Sequence, residues 1–280
     1  MNNFIINLVP GETFLHKLSG TTKVRLFFIL VIYLIMSFDL RLILPVFILA
    51  IIGLISLKPK MKSLNYIIGF VVVMNIVNII LYYLANPHLG MLYFHHETIW
   101  FQLSEHYIVT YEEVWFLLSR LMKMLASFLV SLDFILAITP SEFAAGLYAC
   151  KVPYKICTIV EMAFRYIPDI ARDYNNIKVS MQARGLELDP QKASIIKRLK
   201  QNVLIIVPLV ITSFDRIGNI SNAMDLRGFG KGKKRSYYAE HEETSNDKKV
   251  KIVYTLLGVF VVSYIFAKIV FHIPEVWYPF

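Results

Sequence analysis

Apolar residues come in long, nearly unbroken blocks along this chain rather than in short alternating or helical stripes. Tyr66–Leu84, Val114–Ile138 and Ile252–Phe271 each reach the roughly 20 residues that a helix needs to cross the ~30 Å hydrocarbon core. Leu26–Leu57 is apolar throughout except for Asp39-Leu40-Arg41. As one helix it is over-long and buries two charges. As two, Leu26–Phe38 and Leu42–Leu57, each is short, and Lys23 and Arg25 are expected to help the first by snorkelling.

The polar stretches between these blocks choose between the two readings. Cytoplasmic loops carry the Lys/Arg excess. Residues 139–251 hold nineteen of the 29 Lys and Arg, the 58–63 loop holds three, and the arm before the first span holds Lys17, Lys23 and Arg25. Segment 85–113 and the tail 269–280 hold none. Two spans in Leu26–Leu57 place every basic segment on one side. The expectation is therefore an all-α membrane protein with about five transmembrane helices, the N-terminus in the cytosol and the C-terminus outside. Trp100, Trp115, Trp277, Tyr82 and Tyr83 then fall near the outer boundary, as an aromatic belt does.

Four regions follow. Residues 1–138 form an N-terminal membrane region with four spans and an outer excursion at 85–113, where Thr98–Leu103 and His106–Tyr111 read as short strands. Residues 139–230 form a basic, amphipathic cytoplasmic module, 231–249 a charged flexible loop, and 250–280 the last span and outer tail. Within the module the longest apolar run, Val203–Ile211, has nine residues and contains Pro208, which is too short to span.

Composition agrees: 56% of the 280 residues are hydrophobic and 18% charged, with mean hydropathy +0.56. Soluble domains run nearer 45–50% and about 25%. The first residues lack a basic start and a small-residue cleavage site, so no signal peptide is expected. Cys150 and Cys157 stand seven apart with no ligand spacing around them, which argues against a disulfide framework or a structural zinc site. His88, His95, His96, Glu97 and His106 crowd the outer excursion, but their spacing fits no ligand motif, and polar loop residues are the expected role. No P-loop is present, so ATP is not held here by that motif. No cluster of catalytic groups at one membrane depth marks an enzyme. Arg120, Lys123 and Asp133 share the fourth span. Asp133 lies thirteen residues beyond Arg120, about 20 Å along the helix, too far for direct pairing or a relay. Lysine 268 sits on the last span.

The sharpest signal is an internal repeat. Met181-Gln-Ala-Arg184-Gly185-Leu186 returns 43 residues later as Met224-Asp-Leu-Arg227-Gly228-Phe229. Each copy ends an expected helix that begins near a proline, Pro168 to Arg184 and Pro208 to Arg227. Ile170, Tyr174, Ile177 and Met181 line one face of the first, and Ile211, Phe214, Ile217, Ile220 and Met224 one face of the second. Each Arg-Gly reads in two ways. One is a helix end, with glycine in the left-handed cap and arginine against the dipole. The other is a docking tip, since guanidinium pairs bidentately with carboxylates and carbonyls. Two matched tips then call for two equivalent sockets, a dimer of partner subunits.

The chain resembles the transmembrane T component of energy-coupling factor (ECF) transporters, the group that includes the cobalt-transport permease subunit. Four stretches carry the likeness: Phe14-Leu-His-Lys-Leu-Ser-Gly-Thr-Thr-Lys23; Thr110-Tyr-Glu-Glu-Val-Trp through Arg120 to Thr139-Pro140; Val152-Pro153 through Phe164-Arg-Tyr-Ile-Pro168 to Ala183-Arg184-Gly185; and Ala223-Met-Asp-Leu-Arg227-Gly228-Phe229. The resemblance implies a scaffold that binds no cofactor itself. Its x-Arg-x tips, here Ala183-Arg184-Gly185 and Leu226-Arg227-Gly228, would dock on two ABC-type ATPase subunits that use the ATP. A membrane S component would bind the vitamin or metal ion. The lipid bilayer is a further partner and nucleic acid is not. The chain departs from the pattern in Leu226, where alanine is more usual, and in the long charged 231–249 loop. The rival reading, a self-contained secondary transporter or channel, calls for broken helices and midplane charges repeated in two halves; the repeat here lies in the module instead.

Overall fold

A computed structural model describes residues 13–57, 62–86, 98–102, 108–186, 195–231 and 244–271. The protein is all-α apart from one small hairpin. In chain order come α1 (Gly20–Met36), α2 (Leu40–Leu57), α3 (Lys62–Ala85), β1 (Ile99–Gln102), β2 (Ile108–Thr110), α4 (Tyr111–Ala137), α5 (Pro140–Ala149), α6 (Tyr154–Ala183), α7 (Ile195–Leu226) and α8 (Ser245–Phe271). The fold separates into two compact units, Met1–Gly146 with Ala239–Phe280, and Leu147–Tyr238.

In the first unit the apolar block at 26–57 is two helices, as its central charges require. Helix α1 ends where the Ser37 N–H bonds the Tyr33 carbonyl, and α2 starts with Leu42 and Ile43 N–H on the Asp39 carbonyl. The break is held from both sides: the Tyr33 hydroxyl donates to the Leu42 carbonyl at 2.9 Å, and the Tyr264 hydroxyl to the Asp39 carboxylate at 3.2 Å. Helix α4 is the central column. Its Ala126, Leu129 and Val130 pack with Leu34, Ile43, Val46 and Ala50 from α1 and α2 and Val261 from α8. Lower on the same helix, Leu132, Leu136 and Ala137 meet Leu57 and Leu64.

Antiparallel β1 and β2 are the short strands expected in the excursion, paired with each other. Buried Glu112 pins the pair to α4, accepting from the Thr98 N–H at 3.1 Å and hydroxyl at 2.6 Å. Thr110 caps α4 through the Glu113 N–H. Trp100 stacks on Tyr111 with ring centroids 5.4 Å apart. The histidines and Glu97 of this excursion lie outside the described residues, as do Trp277 and residues 232–243 of the charged loop.

By length and composition four helices can cross a membrane: Leu40–Leu57, Leu64–Ala85, Lys200–Leu226 and Ser245–Lys268. A fifth is the pair α4 and α5, if the 110° bend between them lies within one span. This set differs from expectation at two points. Helix α1 has 17 residues, about 25 Å, a little under the hydrocarbon thickness. Val203–Ile211 is not an isolated short run; it lies inside a 32-residue helix whose Lys200–Leu226 segment is long enough to span. Beyond that run the Thr212 and Ser213 hydroxyls bond back to the Pro208 and Leu209 carbonyls at 3.1 and 2.7 Å, and the helix continues through them.

Charges in the bundle also settle differently. Lys23 does not snorkel: it is 5% exposed, with Nζ 3.0 Å from Glu142. Arg120 lies 3.7 Å over the Tyr82 ring of α3, and Lys123 donates to the Ile35 carbonyl at the end of α1 (3.0 Å). They turn to different neighbours, so no relay is assembled with Asp133. Asp133 lines an apolar cavity of about 270 Å³ with Leu26, Val46 and Val253. Its Oδ1 is buried without a hydrogen-bond partner among the described residues.

Candidate functional site

The repeat lies in the second unit, on α6 and α7. Both helices are longer than the prolines suggested, 30 and 32 residues, about 45 and 48 Å. Pro168 and Pro208 are inside them rather than at their starts. An interior proline removes one backbone bond and kinks a helix without ending it. Pro153 takes the position before the first turn of α6.

The two ends are built identically. At the first, the Gly185 N–H bonds the Gln182 carbonyl at 3.0 Å and the Leu186 N–H the Met181 carbonyl at 3.0 Å. At the second, the Gly228 N–H bonds the Asp225 carbonyl and the Phe229 N–H the Met224 carbonyl, both at 2.9 Å. These are the paired 5→2 and 6→1 bonds of a Schellman cap. The glycines have φ of +92° and +68°, a region where a Cβ is disfavoured. Beyond Gly185 there is open space, so backbone conformation and not crowding demands glycine.

This geometry explains most of the motif. In a Schellman cap the third residue from the helix end and the second residue past it usually make an apolar contact. Those positions are Met181 with Leu186, and Met224 with Phe229, all half-buried. The cap therefore accounts for Met, Gly and the trailing apolar residue. It does not require arginine. Both guanidiniums favour the negative helix end, yet Ala183, Arg184, Gly185 and Arg227 are exposed, Leu226 is 90% exposed and Gly228 is half-buried. Among the described residues neither arginine forms a salt bridge.

One relation was not read from the sequence. Arg216 of α7 pairs with Asp173 of α6. These residues are 43 apart, the same offset as the two tips, and each stands eleven residues before its own arginine. Phe229 meets Tyr154 edge-on, 5.7 Å between centroids, which sets the end of α7 beside the start of α6. The helices thus run in opposite senses and meet at equivalent positions. The arrangement is close to two-fold: each arginine lies about 16 Å of helix from the Asp173–Arg216 contact, on opposite sides. The 43-residue offset was the signal that could have revealed it.

The face of α6 with Tyr174, Ile177 and Met181 is half-buried, and Ile170 is exposed. On α7 the half-buried row is Ser213, Arg216, Ile220 and Met224, whereas Ile211, Phe214 and Ile217 are exposed at 57%, 67% and 58%. That apolar stripe finds no cover within the described residues. Cys150 and Cys157 form no disulfide among the described residues, and the buried Cys157 thiol donates to the Val152 carbonyl at 3.7 Å.

Several apolar membrane-crossing helices, joined to a unit of two long amphipathic helices with matched tips, define a multi-pass membrane protein of the transporter-subunit class. The chain belongs to the cobalt transport protein family (CbiQ), whose profile matches residues 11–238. Among similar curated proteins is the energy-coupling factor transporter transmembrane protein EcfT of Bacillus selenitireducens, 24% identical over 265 residues, covering 91% of this chain and 94% of its own. The EcfT of Clostridium kluyveri is 25% identical, covering 85% and 88%. That of Limosilactobacillus fermentum reaches 34% over a shorter stretch of 91 residues, 32% of this chain and 33% of its own.

Proposed function

We propose that the chain is the coupling scaffold of an ECF-type ABC importer. Arg184 and Arg227, with their neighbours Ala183, Gly185, Leu226 and Gly228, dock into equivalent sockets on two ATPase subunits. ATP-driven movement of those subunits passes through α6 and α7 to a separate membrane component that binds a vitamin or transition-metal ion. The scaffold binds no cofactor and catalyses no reaction; ATP is used by the partners.

The observation that carries this reading is the near two-fold placement of two arginines, neither in a salt bridge among the described residues, on matching Schellman caps. A pair of like subunits presents two like sockets, and a symmetric pair of tips suits them. Exposed Leu226 adds an apolar contact beside the second guanidinium. The exposed stripe on α7 offers the membrane component an apolar surface to move against.

The same geometry supports a cytoplasmic-face position for this unit. Although α7 is long enough to cross, its middle carries Asp215 and Arg216. Arg216 pairs with a helix that bears Arg165, Asp169, Arg172, Asp173 and Lys178. Placing that cluster in hydrocarbon is costly. The basic-residue distribution favours the same reading, with the N-terminus in the cytosol and the C-terminus outside.

The test is charge reversal. Arg184→Glu with Arg227→Glu keeps the protein in the membrane and abolishes co-purification of the ATPases, a weakening of about a hundredfold or more if each tip makes a buried charge-assisted contact. Retained ATPase binding and uptake in the double variant would falsify the docking role.

A further inference from the structure

Three helices of the first unit, α1, α5 and α8, begin at one buried polar junction. Thr139 and Glu142 form a capping box on α5: the Thr139 N–H donates to Glu142 Oε2 at 3.0 Å, and the Glu142 N–H to Thr139 Oγ1 at 3.4 Å. The same Oε2 accepts from Lys23 Nζ at 3.0 Å, across 119 residues of sequence. Lys23 also donates to the His16 carbonyl at 2.9 Å. Asp247 repeats the device on α8. Its Oδ2 accepts from the Thr244 N–H at 3.0 Å, and its Oδ1 from the Ser19 N–H at 2.8 Å, across 228 residues. Each carboxylate therefore makes one local cap and one long-range tie to the start of α1. Glu142 is 5% exposed and Asp247 1%.

Backbone contact reinforces the ties. A Cβ on Gly20 would stand 2.2 Å from the Glu142 carbonyl oxygen. One on Gly146 would stand 2.6 Å from the Gly20 carbonyl oxygen and 2.5 Å from Val24 Cγ2. Helices α1 and α5 therefore approach main chain to main chain at Gly20 and Gly146.

The junction's place in the chain gives it meaning. The first unit ends at Gly146, four residues after Glu142, and resumes at Ala239, eight residues before Asp247. Glu142 and Asp247 thus stand close in sequence to the two points where the chain passes to and from the docking unit, and both are tied to the start of α1. Buried ion pairs of this kind add little net stability over apolar packing, but they fix one geometry.

We infer that Lys23, Glu142 and Asp247 are positioning residues that clamp both connections of the docking unit to the membrane bundle, so that motion received by that unit moves the bundle instead of bending its connections. This rests on the docking role proposed above. The test uses the whole transporter, with ATPases and membrane component, in proteoliposomes. Lys23→Met with Glu142→Gln removes both members of the ion pair together, and Asp247→Asn keeps size but leaves one carbonyl oxygen for the two N–H donors of Ser19 and Thr244. In both variants the ATPases co-purify and hydrolyse ATP within about twofold of the parent, while uptake per ATP falls about tenfold, within the range of a lost coupling free energy. Gly146→Ala, which adds a Cβ and removes no polar group, lowers uptake per ATP in the same way. Parental uptake per ATP in these variants, or a parallel loss of uptake and hydrolysis, overturns the clamp and leaves docking intact. Failure of the parent protein to retain ATPases overturns the docking role and the clamp with it.

Discussion

Helices α4 and α7 are of similar length, 27 and 32 residues, but treat their surfaces in opposite ways. Helix α4 buries ten residues along its length, from Glu112 to Ala137. Along α7 the fully buried hydrophobic side chain is Ile205, while Val203, Leu204, Ile211, Phe214 and Ile217 are exposed. The difference teaches where each unit finds its partners. The bundle closes a continuous apolar core around α4 and ties many of its polar groups internally, Asp133 Oδ1 excepted. The second unit leaves a stripe and two cationic tips that no described residue covers, as a surface made for other subunits would.

The contrast can be broken first in the bundle core. Leu34→Ala removes a side chain 1% exposed and is expected to destabilise the detergent-solubilised protein by about 2–5 kcal/mol. Phe214→Ala, at 67% exposure, should stay within about 0.5 kcal/mol in the same thermal unfolding assay. Equal losses would show that α7 is packed by its own chain. A smaller effect is expected at the caps. Gly228→Val forces a β-branched residue to φ +68° at a cost of about 1–2 kcal/mol, confined to the end of α7. Faster amide exchange at position 228 and at Phe229 with an unchanged bundle is the expected reading; exchange spreading into α4 contradicts it. Smallest is the Asp173–Arg216 pair, which is half-exposed. A double-mutant cycle to alanine should give about 0.2–1 kcal/mol of coupling. A null coupling would remove the crossing contact from the account.

Much of this was legible in residues. The Asp39-Leu40-Arg41 interruption and the placement of Lys and Arg told that the 26–57 block is two helices, and Thr98–Leu103 and His106–Tyr111 read as the short strands. The repeated Arg-Gly marked two helix ends. Other features were hidden for physical reasons. Pro168 and Pro208 looked like helix starts, because the rest of a long helix compensates an interior proline only in three dimensions. Val203–Ile211 looked like a short isolated run, because the helix carries on through the polar residues that follow it, which apolar run length does not register. Lys23 looked like a snorkelling flank, because its partner Glu142 is 119 residues away. The Met before each arginine and the apolar residue after each glycine seemed to ask for a partner. They belong to the caps, which leaves the arginines as the part that asks for one.

The central claim is that both tips sit on ATPase subunits in the assembled transporter. Photo-crosslinking amino acids at Ala183 and, separately, at Leu226 test it most directly. The account predicts that each position crosslinks to an ATPase subunit in membranes, and that Arg184→Glu with Arg227→Glu removes both crosslinks. Crosslinks to lipid alone, or to an ATPase from only one of the two tips, would contradict it.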